Sequence, residues 1–439
     1  MSRLSKKRLV LLSALVVLAV AGAVAGGWLW SETRSKEVLG SSTVEFRPGD
    51  EPARKRRPAQ IVKKEPWPTY GYGPERAHVS PFNHRPPFKR LWVRTARHYL
   101  EYPPAIAYGR IFLPQQKGRF FAVNPQTGGI LWSKSYRRCA PSSPAVSDGV
   151  VYQAFMHPLP CTKHLRGATG LMVAMHPLNG KEFWRFRAGA IESSPLIVDN
   201  RVYFGSWDRN VYALNKKTGK QIWEFRTDNR IVAAPAYSGG TIYIGTNGGH
   251  LYALSAKTGR LQWRAASNTR LGRREYFYAT PTVAYGRVYA ANTDGYVYSF
   301  GARTGRLLWA QRAGTYVYTA PAVWRKTVYV GTFDGFVVAF DAATGRTRWR
   351  YDAPGSIIGA PTVMGGLIYF SICGTCGGNA SRRVEFGRPK TFALDARRGR
   401  LAWTFPDGKY SPIVADRQRV YLVGRTRLYA FEPRKQTVG

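Results

Sequence analysis

Acidic residues are scarce in this chain: 25 Asp and Glu stand against 66 Lys and Arg in 439 residues, a formal net charge of +41. The shortage works against chemistry that needs several converging carboxylates, such as binding a hard divalent cation or general-base catalysis. The surplus of cations favours attraction to polyanions. It is not confined to a tail, because residues 1–66 carry 13 basic and 6 acidic side chains, +7, which leaves +34 for the remainder. Arginine (47) outnumbers lysine (19), so a compositional bias toward arginine accounts for the charge equally simply. Cysteine is scarce too, with four residues and no adjacent pair. The spacing of His157, Cys161, His164 and His176 matches no standard zinc signature, and Cys373-Gly-Thr-Cys376 lies in no thioredoxin-like βαβ pattern. No metal ligands and no catalytic residues are assigned. Long apolar runs are missing with one exception, and 44% hydrophobic with 21% charged residues is ordinary globular usage. Disorder throughout and a multi-span membrane protein are both excluded.

The exception is Leu9 to Trp30, LVLLSALVVLAVAGAVAGGWLW, 22 uncharged residues that are long enough to span a bilayer as a helix. Arg3, Lys6, Lys7 and Arg8 precede it and a nearly neutral flank follows. The positive-inside rule then leaves residues 1–8 as a cytoplasmic stub and sends the rest across. The run is longer than a usual signal core, so an uncleaved single-pass anchor in the plasma membrane is the expectation, although A-x-A spacings within Ala19 to Gly27 also suit a signal peptidase. Residues 31–66 are polar, carry Pro48, Pro52, Pro58 and Pro66 and the cluster Arg54 to Arg57, and read as an extended tether.

From residue 67 a phrase recurs: FFAVNPQTGGILW, MVAMHPLNGKEFW, VYALNKKTGKQIW, LYALSAKTGRLQW, VYSFGARTGRLLW, VVAFDAATGRTRW and TFALDARRGRLAW. These end at Trp132, Trp184, Trp223, Trp263, Trp309, Trp349 and Trp403, at intervals of 52, 39, 40, 46, 40 and 54 residues. A small residue and a proline open a further strand before each phrase, at positions 104, 144, 195, 235, 281, 321, 361 and 412. Alternating strands separated by tight turns, four to a unit and repeated at this period, predict an all-β, eight-bladed propeller over 67–439. The last unit lacks its tryptophan strand and FKRLWVRT, with Trp92, supplies it, which closes the ring and removes an exposed edge. Tryptophans at equivalent places are expected to pack between blades.

The A-x-[DNS]-x-x-T-G-x-x-x-W phrase resembles the tryptophan-docking repeat of the pyrroloquinoline-quinone (PQQ)-like propellers, and WPTYGYGPERAHVSP from Trp67 resembles the segment leading into their first blade. The resemblance implies the propeller fold. It is compatible with two functions, because that superfamily holds quinone-dependent dehydrogenases and non-enzymatic binding propellers. A dehydrogenase would imply a calcium site of acidic and amide side chains, an aspartate base, an arginine on the quinone and, in many members, adjacent disulfide-bonded cysteines. This chain has no such cysteine pair and is short for that class. Glu101, Glu192, Arg230, Glu275, Tyr276, Tyr316, Asp407 and Lys409, a few positions before the prolines, are the candidates for the channel mouth.

In a four-stranded blade, with strands lettered A to D from the inside outward, the D–A and B–C connections share one face. That places Cys139 and Cys161 together, with a disulfide as the reading outside the cell, and makes Cys373 with Cys376 a small structural disulfide. The same face gathers Arg137, Arg138, Lys163, Arg166, Arg230, Arg270, Arg273, Arg274, Arg382 and Arg383, interleaved with Tyr276 and Tyr278. Guanidinium forks beside aromatic rings suit phosphate, carboxylate or sulfate groups, so these residues form a candidate anion-binding face. Nucleic acid fits the same physics but not an extracytoplasmic compartment. The combined expectation is a monomeric, membrane-anchored scaffold for envelope proteins, anionic polymers or lipid headgroups, without a cofactor. The alternative is a PQQ-dependent oxidoreductase using Ca²⁺.

Overall fold

The structure, a computed structural model, describes residues 22–23, 26, 37–40, 66–161, 167, 169–270, 273–373, 390–410 and 413–433. Eight four-stranded antiparallel sheets follow one another around a ring. Blade 1 runs from Ala105–Ala107 to Ile130–Ser135, blade 2 from Ala145–Ser147 to Glu182–Gly189, blade 3 from Leu196–Val198 to Gln221–Arg226 and blade 4 from Ala236–Ser238 to Leu261–Ala266. Blade 5 runs from Thr282–Ala284 to Leu307–Arg312, blade 6 from Ala322–Trp324 to Thr347–Asp352 and blade 7 from Thr362–Met364 to Leu401–Phe405. Blade 8 combines Val414–Ala415, Val420–Val423 and Arg427–Pro433 with the early strand Phe88–Thr95 on its outer side. Phe88 pairs with Pro433 and Thr95 with Arg427. A short ribbon, Thr269–Arg270 with Arg273–Arg274, stands between blades 4 and 5.

Burial follows the position of each strand in its blade. The middle strands, such as Thr241–Gly245 and Leu367–Ile372, are buried on both faces because blades stack face to face, and their sequences are almost wholly apolar or aromatic. Most outer strands alternate, as in Gln221–Arg226 and Thr347–Asp352, because only one face meets the next blade.

The repeated phrase has a local cause. Its Asx residue accepts the next turn's backbone N–H groups, as Asn215 does from Lys217 (2.9 Å) and Thr218 (3.1 Å). The glycine that follows the threonine takes a positive φ, and a Cβ on Gly219 would lie 2.6 Å from the Trp184 ring of the preceding blade. Trp184 itself donates its indole N–H to the Lys216 carbonyl at 2.9 Å. Trp92, Trp132, Trp223, Trp263, Trp309 and Trp349 make the same bond to Pro125, Pro177, Ala256, Ala302, Ala342 and Ala396. Trp403 differs: the eighth blade has no such turn, and the ring instead meets Phe88 edge-on (5.3 Å) and stacks on Phe405 (6.0 Å).

One end of the central channel is filled by the chain itself. Residues 67–80 cross the ring, and inner-strand N–H groups donate to them: Val146 to Pro68, Tyr237 to Pro74, Val283 to Glu75, Val323 to Ala77 and Val363 to His78, at 2.8–3.0 Å. Trp67 exchanges two bonds with Ile106. An inner strand facing an open channel has unpaired backbone donors, and this segment satisfies those of six blades. Its sequence resembles a lead-in to the first blade, whereas in the structure it forms a floor.

Residues 37–40 lie against the outside of the ring. Val38 exchanges backbone bonds with Ala310 (2.8 and 3.0 Å), and the Gly40 N–H donates to Thr344 (2.9 Å). The outer strand of blade 5 is accordingly buried, unlike its counterparts. Among the described residues no helix is long and apolar enough to cross a membrane. The expected anchor, residues 9–30, lies outside them apart from Gly22, Ala23 and Gly26, as do the basic stub and most of the tether.

Candidate functional site

Above the floor the channel opens as a cup of about 530 Å³. Its wall is built from the D–A connections, and the repeat places one residue from each at an equivalent height. The third residue before the inner-strand proline lines the cup in seven blades: Glu101, Pro141, Glu192, Val232, Tyr278, Tyr318 and Ile358. Tyr102, Tyr410 and Phe333 complete the wall, and Tyr70 rises from the floor.

Two of the expected mouth residues, Glu101 and Glu192, face this space. The Tyr278 hydroxyl donates to Glu192 Oε1 at 2.8 Å. Burial pushes the Glu192 carboxyl up to about 7; the Tyr278 and Trp207 hydrogen bonds and the nearby Arg230 oppose this, and Glu101 adds to it. Burial likewise raises Glu101, against the pull of Lys409, and Gln116 donates to its Oε1 at 3.1 Å. The charge of Glu192, then burial, holds the Tyr278 hydroxyl well above its ordinary value. Lys409 lies over the Tyr99 ring (4.2 Å) and the Tyr410 ring (4.5 Å), its ammonium lowered by burial. Asp407 turns away from the cup to accept the Tyr429 hydroxyl at 2.6 Å.

The floor is held by Arg76, which is fully buried. Its guanidinium donates to the carbonyls of Pro235 (3.0 Å), Pro195 (3.1 Å) and Tyr70 (2.5 Å) and to Thr69 Oγ1 (2.8 Å). Desolvation lowers it to about 9. His78 beside it is lowered to about 3, by burial and then by the Arg76 charge, and its ring meets Tyr70 edge-on at 4.8 Å. Sequence reasoning singled out neither Arg76 nor His78, nor the tyrosines at 70, 102, 318 and 410.

The residues expected to bind anions are dispersed. Arg137 is exposed, while Arg138 donates to the carbonyls of Met156 (3.1 Å) and Thr169 (2.5 Å). Arg138 borders an outer cleft of about 390 Å³ with Lys134, Arg185, Arg187 and one acid, Glu182. Arg230 lies over the Trp207 ring at 4.9 Å. Arg274 and Tyr276 are exposed near the ribbon, which contains the backbones of Arg270 and Arg273, and Tyr278 belongs to the cup. Lys163, Arg166, Arg382, Arg383 and Cys376 lie outside the described residues. Cys139 and Cys161 form a disulfide with Cα atoms 5.5 Å apart, and Cys373 is buried and disulfide-bonded.

The cup does not fit PQQ with calcium. Ca²⁺ takes six to eight oxygen ligands, whereas the wall offers two carboxylates, one of them half-neutral near pH 7. Among the described residues no three His, Cys, Asp or Glu converge. PQQ is itself a tricarboxylic acid, and the guanidinium beneath the cup is already bonded to four backbone and hydroxyl oxygens.

Fold and repeat together define a propeller of the PQQ-like class. The chain belongs to the PQQ_2 family, described as outer membrane protein assembly factor BamB, whose model matches residues 164–317 and 293–438. It is 31% identical over 113 residues to BamB of Kangiella koreensis, covering 24% of this chain and 27% of that protein. It is 25% identical over 149 residues to a quinoprotein ethanol dehydrogenase of Pseudomonas putida, covering 30% and 22%. The matches thus span about a quarter of these relatives. Among solved structures, BamB from Moraxella catarrhalis superposes with a TM-score of 0.61 at 18% identity, over 80% of this chain and 99% of that one. Quinohemoprotein alcohol dehydrogenase from Comamonas testosteroni gives 0.68 at 12% identity, over 90% and 83%.

Proposed function

We propose that this chain is an extracytoplasmic scaffold that holds other envelope proteins during assembly, carried at the membrane by residues 9–30. The observation that supports this most is the rim of the ring. Outer strands present exposed apolar side chains, among them Leu131, Phe183, Ile222, Leu261 and Leu401. One such edge, on blade 5, already carries an extended segment, residues 37–40, by backbone bonds. Addition of a strand to an exposed sheet edge is a general mode of peptide recognition. The relatives named outer membrane protein assembly factor BamB point the same way. The lining of the cup weighs against quinone-dependent oxidation.

The reading is tested with a photo-crosslinking residue at Ile222 or Leu261 of the full chain in its own envelope. A discrete adduct with an envelope protein is expected, abolished by a neighbouring charge such as Gln221→Asp beside Ile222. Crosslinking to lipid or polymer alone would replace the protein partner. Dye reduction by the purified chain supplied with PQQ, Ca²⁺ and an alcohol would restore the enzymatic reading.

A further inference from the structure

The cup is a closed-bottomed cavity, and its volume falls within the range of about 300–1,000 Å³ usual for small-molecule sites. Its lining inverts the character of the protein. In a chain with 66 basic side chains, the two charged residues that line the cup among the described residues are both acids. Glu192 has no cation within 4.0 Å among the described residues, although Arg76 lies beneath it and Arg230 at the rim. The reason is local: Arg76 is held by carbonyls, and the Arg230 guanidinium rests on Trp207.

Six aromatic rings share the rest of the wall with small and aliphatic residues such as Pro141, Val232 and Ile358. Tyr278 and Tyr318 meet edge-on at 5.4 Å, with their centroids on adjacent blades, and Phe333 packs edge-on against Tyr318 at 5.9 Å. Tyr70, Tyr102 and Tyr410 line the same cavity. An aromatic face carries negative quadrupole density and attracts a cation, most strongly where water is excluded. Carboxylates in the same enclosure add the counter-charge. The Glu192 carboxylate and the ring quadrupoles disfavour an anion there, and a neutral apolar body leaves Glu192 without a charge partner.

We propose that the cup binds a small organic cation, an ammonium or guanidinium group on an apolar body, with Glu192 and Glu101 as its counter-ions and the tyrosine faces as its walls. This goes beyond the scaffold reading and does not depend on it. Glu192 is the residue whose charge state the ligand feels most. It is faced by Tyr278, Trp207, Arg230, Glu101 and Tyr102, and burial dominates these, so affinity rises as pH increases through about 7.

Calorimetric titration of the full chain in detergent, with phenyltrimethylammonium as probe and benzyl alcohol and benzenesulfonate as controls, tests it. The cation is expected to bind saturably at pH 8, at least tenfold more tightly than the alcohol, with no saturable heat from the sulfonate. Glu192→Gln is expected to weaken the cation at least tenfold while leaving the far-ultraviolet circular dichroism unchanged. Should that variant fail to fold, Glu101→Gln serves the same purpose. Absence of saturable cation binding, equal affinity for the alcohol, tighter binding of the sulfonate, or full affinity in a folded carboxamide variant would each overturn it.

Discussion

The floor and the mouth of the channel solve the same problem with opposite charges. Each places an ionisable group in a space with little water. At the floor, Arg76 is surrounded by the carbonyls of Pro195, Pro235 and Tyr70, so the cation keeps its hydrogen bonds and becomes structural. At the mouth, Glu192 receives the Tyr278 hydroxyl but no ion-pair partner within 4.0 Å among the described residues, and its charge stays costly. A buried charge completed by backbone fixes the fold, whereas one left incomplete beside a cavity is available to a ligand.

The comparison is broken most severely at Arg76. Arg76→Met leaves four oxygen acceptors without their donor and should lower stability by on the order of 3–5 kcal/mol, read by urea denaturation. The mouth side is pinned covalently by Cys139–Cys161, which spans a sequence separation of 22. Replacing both cysteines by serine should cost about 3 kcal/mol by loop-closure entropy, checked in the same assay with and without reductant.

The two ends should also respond oppositely to pH. His78 is depressed from 6.5 to about 3, so the unfolded chain binds its proton first and stability is lost as pH falls from 6.5 toward 3. His78→Leu should recover on the order of 2–3 kcal/mol at pH 4 relative to its effect at pH 7. Glu192 is raised from 4.5 to about 7, so the folded chain binds the proton more tightly and stability is lost as pH rises from 4.5 through 7. Glu192→Gln should therefore gain on the order of 1–2 kcal/mol at pH 8, after allowance for solvent, and nothing at pH 4, in paired thermal melts.

The ring was readable because its signals are periodic. Eight prolines, seven complete phrases and Trp92 name the blades, and the closure through Phe88–Thr95 follows from counting strands. The cup was half readable. Glu101 and Glu192 emerge from their distance to the prolines, but the same register also contains Val232, Tyr278, Tyr318 and Ile358, a pattern visible only when the third position before each proline is compared across blades. The floor carries no periodic signal. Arg76 and His78 lie in a non-repeating stretch, and the Arg76 guanidinium is completed by carbonyls 119 and 159 residues away. The basic face failed to condense into one site because charge in a sequence says which surface a loop shares, not whether its guanidinium is already bonded, as Arg138 is to Met156 and Thr169.

Blade 8 gives the molecule a sense of completeness. Its outer strand is made early and its partner more than 330 residues later, with Phe88 opposite Pro433. During synthesis or export, Phe88–Thr95 must wait as an unpaired edge until Arg427–Pro433 has emerged, and closing so long a loop is slow compared with forming each local blade. A chain cut before Arg427 therefore exposes a sticky seam. The latch works as an inventory check: only a chain that reaches Pro433 pairs this early edge.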